Sequence, residues 1–410
     1  MNATVPSARD RLARRLVLGL LLFGLFCEGI GELIITLQRQ PLGIDFLPVW
    51  TAARQAWTNP ADLYDFVAIS RLQDWVLHDR YGLRPFAYPP SALLFVAPFA
   101  TMPFWVAYGL WVALTGAFML WATARLAPGR PWLAALVALL ATPCFTMMLV
   151  GQTTFLIAGL VAVAVPRLER RPILAGVLLA VAALIKPTTL ILAPFALLSG
   201  GHWRALTWAF VAGLTGGLIS IAVFGLQPWF DWLAALPRFQ VLFETNDGLL
   251  RGTITPSGEA VALGIGGLGL LAVRLVCVLT AAALIWRVFK SVEDPGPRMA
   301  ALLGAGLLAA PYAMHYDGGL LAPAVALAMA RTLDDRDWLR GIAGILLLTG
   351  TGIPHMGAFA TIALVPLLVW PGLNLNSSTF LRRKRSVSTH EKPRDTDVTH
   401  PHQHRGPGPQ

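Results

Sequence analysis

From Leu16 to Trp370 the chain is a succession of apolar blocks, each of helical length and each closed by a polar turn. A chain of 410 residues that is 56% hydrophobic and 13% charged cannot hide this surface inside a soluble domain of ordinary make-up. In lipid every backbone polar group must be satisfied within the protein, which leaves helices or a closed barrel. The blocks use Gly and Pro freely and lack the alternation of barrel strands of about 10 residues, so the pattern predicts an all-α integral membrane protein. The first block, Leu16–Leu37, follows Arg9, Arg11, Arg14 and Arg15 and lacks a clear small-residue cleavage site. At about 20 residues it reads as a retained span.

Spans of a bundle of about 12 transmembrane helices are expected near 16–37, 103–124, 131–149, 152–166, 172–186, 187–199, 205–226, 268–286, 299–311, 319–330, 338–352 and 357–370. Basic residues collect on the cytoplasmic side of short loops. With the N-terminus inside, 23 of the 32 Lys and Arg residues fall on that side. This holds only if Ser91–Met102 does not cross. That piece is about 12 residues long and sits among Pro89, Pro90, Pro98 and Pro103, so it is expected as a re-entrant or interfacial helix. Residues 1–15 are then a cytoplasmic N-terminus, 16–372 a polytopic membrane domain with its first outer loop at 38–102, and 373–410 a disordered, basic cytoplasmic tail.

The net charge of +10 is spread through short loops and the tail, which fits membrane orientation and anionic lipid rather than nucleic acid. Cys27, Cys144 and Cys277 lie within apolar blocks and offer neither a disulfide framework nor metal-ligand spacing.

Three polar patches share the predicted outer side. The 38–102 loop opens with Asp45, followed by Phe46, Trp50 and Trp57, a pattern suited to an interfacial amphipathic helix. Asp45 is either a reactive carboxylate or a helix N-cap or plain loop acid. Tyr88, before Pro89-Pro90, is either an aromatic-belt residue or a substrate contact. The second patch is Gly151-Gln152-Thr153-Thr154 with Lys186-Pro187. A lysine ending an apolar run either snorkels or meets an anion, and a phosphate suits both its charge and its side. The third patch, His315-Tyr316-Asp317, is a break between two short spans and is expected to line a cavity. Two metal-ligand types without a third are a weak metal signal, and none is expected. Arg274, inside an apolar block, either neutralises a lipid phosphate or pairs structurally.

The order of these motifs resembles the bacterial family 87 glycosyltransferases of the GT-C superfamily, from about Gly43 to about Ala322. The likeness rests on Asp45-Phe46 with Trp50, on Tyr88-Pro89-Pro90, on Gly151-Gln152, on Ala175-Gly176 leading to Lys186-Pro187, and on Pro311-Tyr312 followed by Tyr316-Asp317. The resemblance implies a GT-C bundle, a polyprenyl-phosphate sugar donor such as polyprenyl-phosphate mannose, and the first outer acid, here Asp45, as general base. It implies hexose transfer to a glycolipid or glycan acceptor at the outer face of a bacterial inner membrane. The residues fit that chemistry on their own terms. Transfer needs a base for the acceptor hydroxyl and cations or dipoles for the leaving phosphate, roles open to Asp45 and to Lys186 with Arg274. Tyr88, Gln152, His315, Tyr316 and Asp317 complete the expected substrate contacts. A phosphate with one lipid ester does not demand a bridging metal, so metal-independent transfer without a cofactor is expected. The rival reading is a transporter or flippase for polyprenyl-linked lipid or sugar, which more often shows internal repeats and midplane charges.

Overall fold

The computed structural model describes residues 7–39, 41–77, 84–335 and 337–370. The predicted tail 373–410, with its Arg382-Arg383-Lys384-Arg385 cluster, lies outside the described residues. Among those described, the elements are helical, and the extended pairing is one bridge between Thr253 and Met314.

The chain opens with α1 (Ala8–Arg39) and continues through the predicted outer loop as α2 (Phe46–Thr58), α3 (Phe66–Leu77) and a broken apolar helix, Pro90–Thr101. There follow α4 (Phe104–Leu126), α5 (Pro131–Leu140), α6 (Thr142–Val150), α7 (Thr154–Ala164) and α8 (Pro172–Ile185). A 3-10 turn, Pro187–Leu190, leads to α9 (Ala193–Ser199) and α10 (Trp203–Phe224). After α11 (Gln227–Glu244) the chain returns through α12 (Gly267–Ser291), α13 (Pro295–Ala309), the 3-10 segment His315–Leu321, α14 (Ala322–Thr332), α15 (Trp338–Gly350) and α16 (Gly357–Trp370).

Each predicted span falls on helix, but the expectation of about 12 full spans meets a different partition. Among the described residues four helices, α1, α4, α10 and α12, are long and apolar enough to cross a bilayer, and α5 with α6 adds a fifth if their 65° bend is one span. Proline supplies the reason, because its ring removes a backbone donor and clashes with the preceding turn. Pro143 sits at the start of α6, Pro187 and Pro194 divide the predicted 187–199 span, and Pro323 opens α14 after the 3-10 segment.

The centre of the bundle is α7, α13 and α14, and α13 is buried continuously over Gly296–Leu308. Helices apolar on every side belong in such a core or against lipid. α10 takes the second course, with Phe210, Leu214 and Leu218 pointing outward. It is tied to α8 at Gly176, where a Cβ would strike the Ala205 carbonyl oxygen, the close approach that small residues permit between membrane helices.

Turns predicted to share one side meet at one end of the bundle. Arg14 donates to the Asp335 carbonyl oxygen at 2.5 Å, Arg130 pairs with Asp334, Arg331 with Asp294 at 2.7 Å, and Arg298 with Glu169 at 3.0 Å.

At the opposite end the 38–102 segment forms a layer with its own apolar core, including Phe46, Trp50, Leu63, Phe86, Leu93 and Phe104. α2 exists where the aromatic spacing predicted an interfacial helix, yet Phe46 through Ala53 are buried and only Trp57 of its aromatics is exposed. The rest of the loop covers it. Trp50 Nε1 donates to the carbonyl oxygens of Phe99 and Met102, each at 3.2 Å, and Phe46 stacks on Trp111 with ring centroids 5.7 Å apart.

Candidate active site

Two glycines bring the outer layer onto the bundle. Gly151 closes α6 at φ +78° and Gly43 turns the chain at φ +72°, a left-handed region that residues with a Cβ rarely enter. A Cβ on Gly151 would lie 2.7 Å from that of Phe46, and one on Gly43 would lie 2.8 Å from the Tyr108 ring. With both positions clear, Gly43 N–H donates to Leu149 O at 2.8 Å and Asp45 N–H to Val150 O at 3.0 Å. Asp45 is thereby fixed beside Gln152, 107 residues later in the chain.

Asp45 stands at the start of α2 but makes no side-chain cap, so the helix-cap alternative does not account for it. Its Oδ2 accepts from Gln152 Nε2 at 2.8 Å, Gln152 Oε1 accepts from the Tyr88 hydroxyl at 3.0 Å, and the Tyr88 oxygen accepts from Thr153 Oγ1 at 3.4 Å. Because Tyr88 occupies the Gln152 carbonyl, the amide must present its NH2 to Asp45. The relay thus ends on a half-buried carboxylate whose Oδ1 is uncommitted, and no cation lies within ion-pair distance of it among the described residues. Burial raises the Tyr88 phenol pKa, so it stays protonated and donating. Tyr64 holds the same segment from behind, its hydroxyl donating to Tyr88 O at 2.8 Å.

The second acid is held differently. Asp317 is buried on the 3-10 segment, and its Oδ1 accepts from Lys186 Nζ at 2.6 Å and from Thr154 Oγ1 at 3.1 Å. Its Oδ2 accepts from the Met314 N–H at 3.2 Å. Lys186 ends α8, and Pro187 prevents the helix from continuing past it. The snorkelling alternative therefore gives way to a paired lysine with two N–H groups left over. His315 is anchored through its N–H to Gly252 O at 2.8 Å, and the bridge beside it ties this break to the 227–259 stretch. Burial lowers the His315 pKa below the usual imidazole value, and the opposing fields of Glu32, Asp45 and Asp317 only partly offset that. Tyr316 lies within electrostatic reach of Asp45, Asp317, Tyr88 and Arg84.

Seven of the eight sequence-selected residues thus belong to one cluster: Asp45, Tyr88, Gln152, Lys186, His315, Tyr316 and Asp317. Arg274 is the exception. It pairs with Glu244 at 2.7 Å between α12 and α11, the structural alternative, and no hydrogen bond among the described residues joins it to the others. The polar break was expected to line a cavity. The cavity beside the cluster, about 350 Å³, is instead apolar and is lined by the chain neighbours of Tyr88 and Lys186, namely Pro89, Ser91, Leu184 and Pro187, with Trp229 and Trp232.

Sequence reasoning passed over Thr154 as a partner of Asp317, and over Arg84 and Glu32. Glu32 had a signal, since a carboxylate inside the apolar block 16–37 is costly without a purpose. Of the chain's two Asp-x-Asp pairs, Asp335–Asp337 adjoins Arg14 at the other end of α1, and Asp395–Asp397 lies outside the described residues. Among the described residues no three His, Cys, Asp or Glu side chains are grouped to hold a metal ion.

The sequence profile of glycosyltransferase family 87 matches residues 86–311, which takes in Tyr88, Gln152 and Lys186 and stops just before His315. A curated relative, the polyprenol-phosphate-mannose-dependent alpha-(1-2)-phosphatidylinositol pentamannoside mannosyltransferase of Mycobacterium tuberculosis (strain CDC 1551 / Oshkosh), is 27% identical over 91% of this chain and 86% of its own length. No solved structure matched the chain. A polar cluster with an uncommitted carboxylate, set at one end of an apolar helical bundle and spanned by this profile, identifies the chain as a membrane-bound glycosyltransferase of family 87.

Proposed function

We propose that the protein transfers a hexose, mannose in our reading, from a polyprenyl-phosphate donor to a glycolipid or glycan hydroxyl at the outer face of a bacterial inner membrane. The observation that carries this is the Tyr88–Gln152–Asp45 relay, which holds one carboxylate oxygen occupied and leaves the other open. The acceptor oxygen attacks the sugar C1, its proton passes to Asp45 Oδ1, and the C1–O bond to the phosphate breaks to release polyprenyl phosphate. General-base catalysis of this kind contributes about 10²–10⁴-fold.

Charge developing on the departing phosphate meets Lys186, whose ammonium is oriented by Asp317 and keeps two donors free. Arg84, half-buried on the segment leading to Tyr88, is the second cation we assign to the phosphate, in place of Arg274. The apolar cavity begins at the residues next to Tyr88 and Lys186 and takes the first isoprene units of the carrier. A lipid monophosphate leaves without a bridging metal, and the cluster supplies ammonium, guanidinium and hydroxyl donors for it. The named activity of the mycobacterial relative supports the same donor class.

The test supplies membranes containing the protein with radiolabelled polyprenyl-phosphate mannose, polyprenyl-phosphate glucose or a nucleotide mannose, with and without chelator. Transfer from the polyprenyl-phosphate mannose that survives chelation is the expected result. Movement of the intact labelled lipid across vesicles, without any transfer, would instead support a flippase.

A further inference from the structure

At the end of the bundle away from the cluster, a second cavity of about 480 Å³ opens between the last turns of α4 and α7 and the turn that starts α8. That volume lies in the range of about 300–1,000 Å³ typical of small-ligand sites. Four arginines line it: Arg125 from α4, then Arg167, Arg170 and Arg171. Arg167 donates to the Val163 carbonyl oxygen at 2.7 Å, which holds its guanidinium at the cavity wall. Arg125, Arg170 and Arg171 are exposed and have no carboxylate within ion-pair distance among the described residues. The nearest acid in sequence, Glu169, is already taken by Arg298 at 3.0 Å.

Other turns at this end behave differently. Arg130 is neutralised by Asp334, and Arg331 by Asp294. Among the described residues Arg204 and Arg287 have no carboxylate within ion-pair distance either, so what marks this cavity is that four such guanidiniums line it together. Guanidinium groups bind phosphate through two parallel N–H bonds, and several of them around one cavity suit a phosphate-bearing head. The remaining lining is apolar, with Trp121 of α4 half-exposed and Leu126 and Val163 beside it. Guanidiniums and apolar side chains lining one cavity fit a molecule with a phosphate head and acyl chains.

We propose that this cavity binds the headgroup of an anionic phospholipid, of the phosphatidylglycerol or cardiolipin kind, at the bilayer surface opposite the transfer site. The site stands independently of the proposed donor and acceptor. α4 and α7 connect the two, since α4 carries Tyr108, which bonds the Met148 and Leu149 carbonyls next to Gly151, and α7 begins at Thr154 on Asp317.

The full-length protein in detergent is titrated with cardiolipin, phosphatidylglycerol, phosphatidylcholine or inorganic pyrophosphate, and bound copies are counted by native mass spectrometry. The wild type should take up one anionic lipid in preference to phosphatidylcholine. Arg125→Gln/Arg170→Gln/Arg171→Gln should weaken that preference by about tenfold, equal to ~1.4 kcal/mol. A control of equal charge, Arg71→Gln/Arg204→Gln/Arg238→Gln, should leave it unchanged. All six positions are exposed, so both variants are expected to fold. Equal losses in the two triples, no preference in the wild type, or pyrophosphate binding as tightly as the lipids would each overturn the proposal.

Discussion

Two carboxylates reach the same polar cluster from different regions of the molecule, and they are held in opposite ways. Asp45 comes from the outer layer, half-buried, with one neutral amide donor on Oδ2. Asp317 comes from the break in the bundle, buried, with an ammonium, a hydroxyl and a backbone N–H on its two oxygens. A carboxylate that saturates its lone pairs on a cation is a positioning group. One that keeps an oxygen open beside a relay of neutral donors is available to take a proton. In the proposed reaction this contrast favours Asp45 as the base and Asp317 as the group that aims Lys186.

The largest effect is expected from Asp45→Asn, which keeps the shape and removes the proton acceptor, and should lower transfer at least about 100-fold with folding unchanged. Lys186→Met should also abolish measurable transfer, but through a different route. Removing one partner of a buried pair costs about 3–5 kcal/mol, so thermal stability should fall with it. The double variant Lys186→Met/Asp317→Leu should recover stability without recovering activity, which separates the pair's structural role from its role toward phosphate. If the double variant transfers at the wild-type rate, the contrast between the two acids is broken.

Smaller effects test the relay. Gln152→Ala removes the bond to Asp45 and the one from Tyr88, and Tyr88→Phe removes the two made by its hydroxyl. At about 0.5–1.5 kcal/mol per bond, both should lower kcat by roughly 2–13-fold for each bond that bears on the carboxylate, with little change in donor KM. Arg274→Gln should change transfer by less than about threefold, because its charge is spent on Glu244 at a surface pair of modest value. A strong loss there would return Arg274 to the phosphate. The smallest effect is in pH. Burial holds the folded-state pKa of His315 below its unfolded value of about 6.5, so folding is favoured above that pH and loses part of this contribution as pH falls through it. Thermal unfolding of the wild type between pH 7.5 and 5.5 should therefore steepen relative to His315→Gln.

The positions of the helices and most of the cluster were legible in the sequence because both rest on local signals. Apolar length marks the helices, and a polar residue in apolar surroundings marks itself. Asp45, Lys186 and the His315-Tyr316-Asp317 break stood out for that reason. Pairings between distant segments left no such mark. Lys186 meets Asp317 131 positions later, and Arg274 meets Glu244 from a neighbouring helix, so one lysine that could have been free is paired and one arginine aimed at phosphate is structural. The burial of α2 was hidden as well. Its aromatic pattern is that of an interfacial helix, and only the packing of later residues such as Leu63, Phe86, Leu93 and Phe104 over it turns Phe46 and Trp50 inward.

The measurement that bears most directly on the central claim is single-turnover sugar transfer by wild type, Asp45→Asn and Asp317→Asn, with donor binding measured on the same preparations. Asp45→Asn should bind the polyprenyl-phosphate sugar as the wild type does and fail in the chemical step, whereas Asp317→Asn should lose donor binding first. Transfer by Asp45→Asn at the wild-type rate would contradict the account, because the open carboxylate at the end of the relay would then have no part in taking the acceptor's proton.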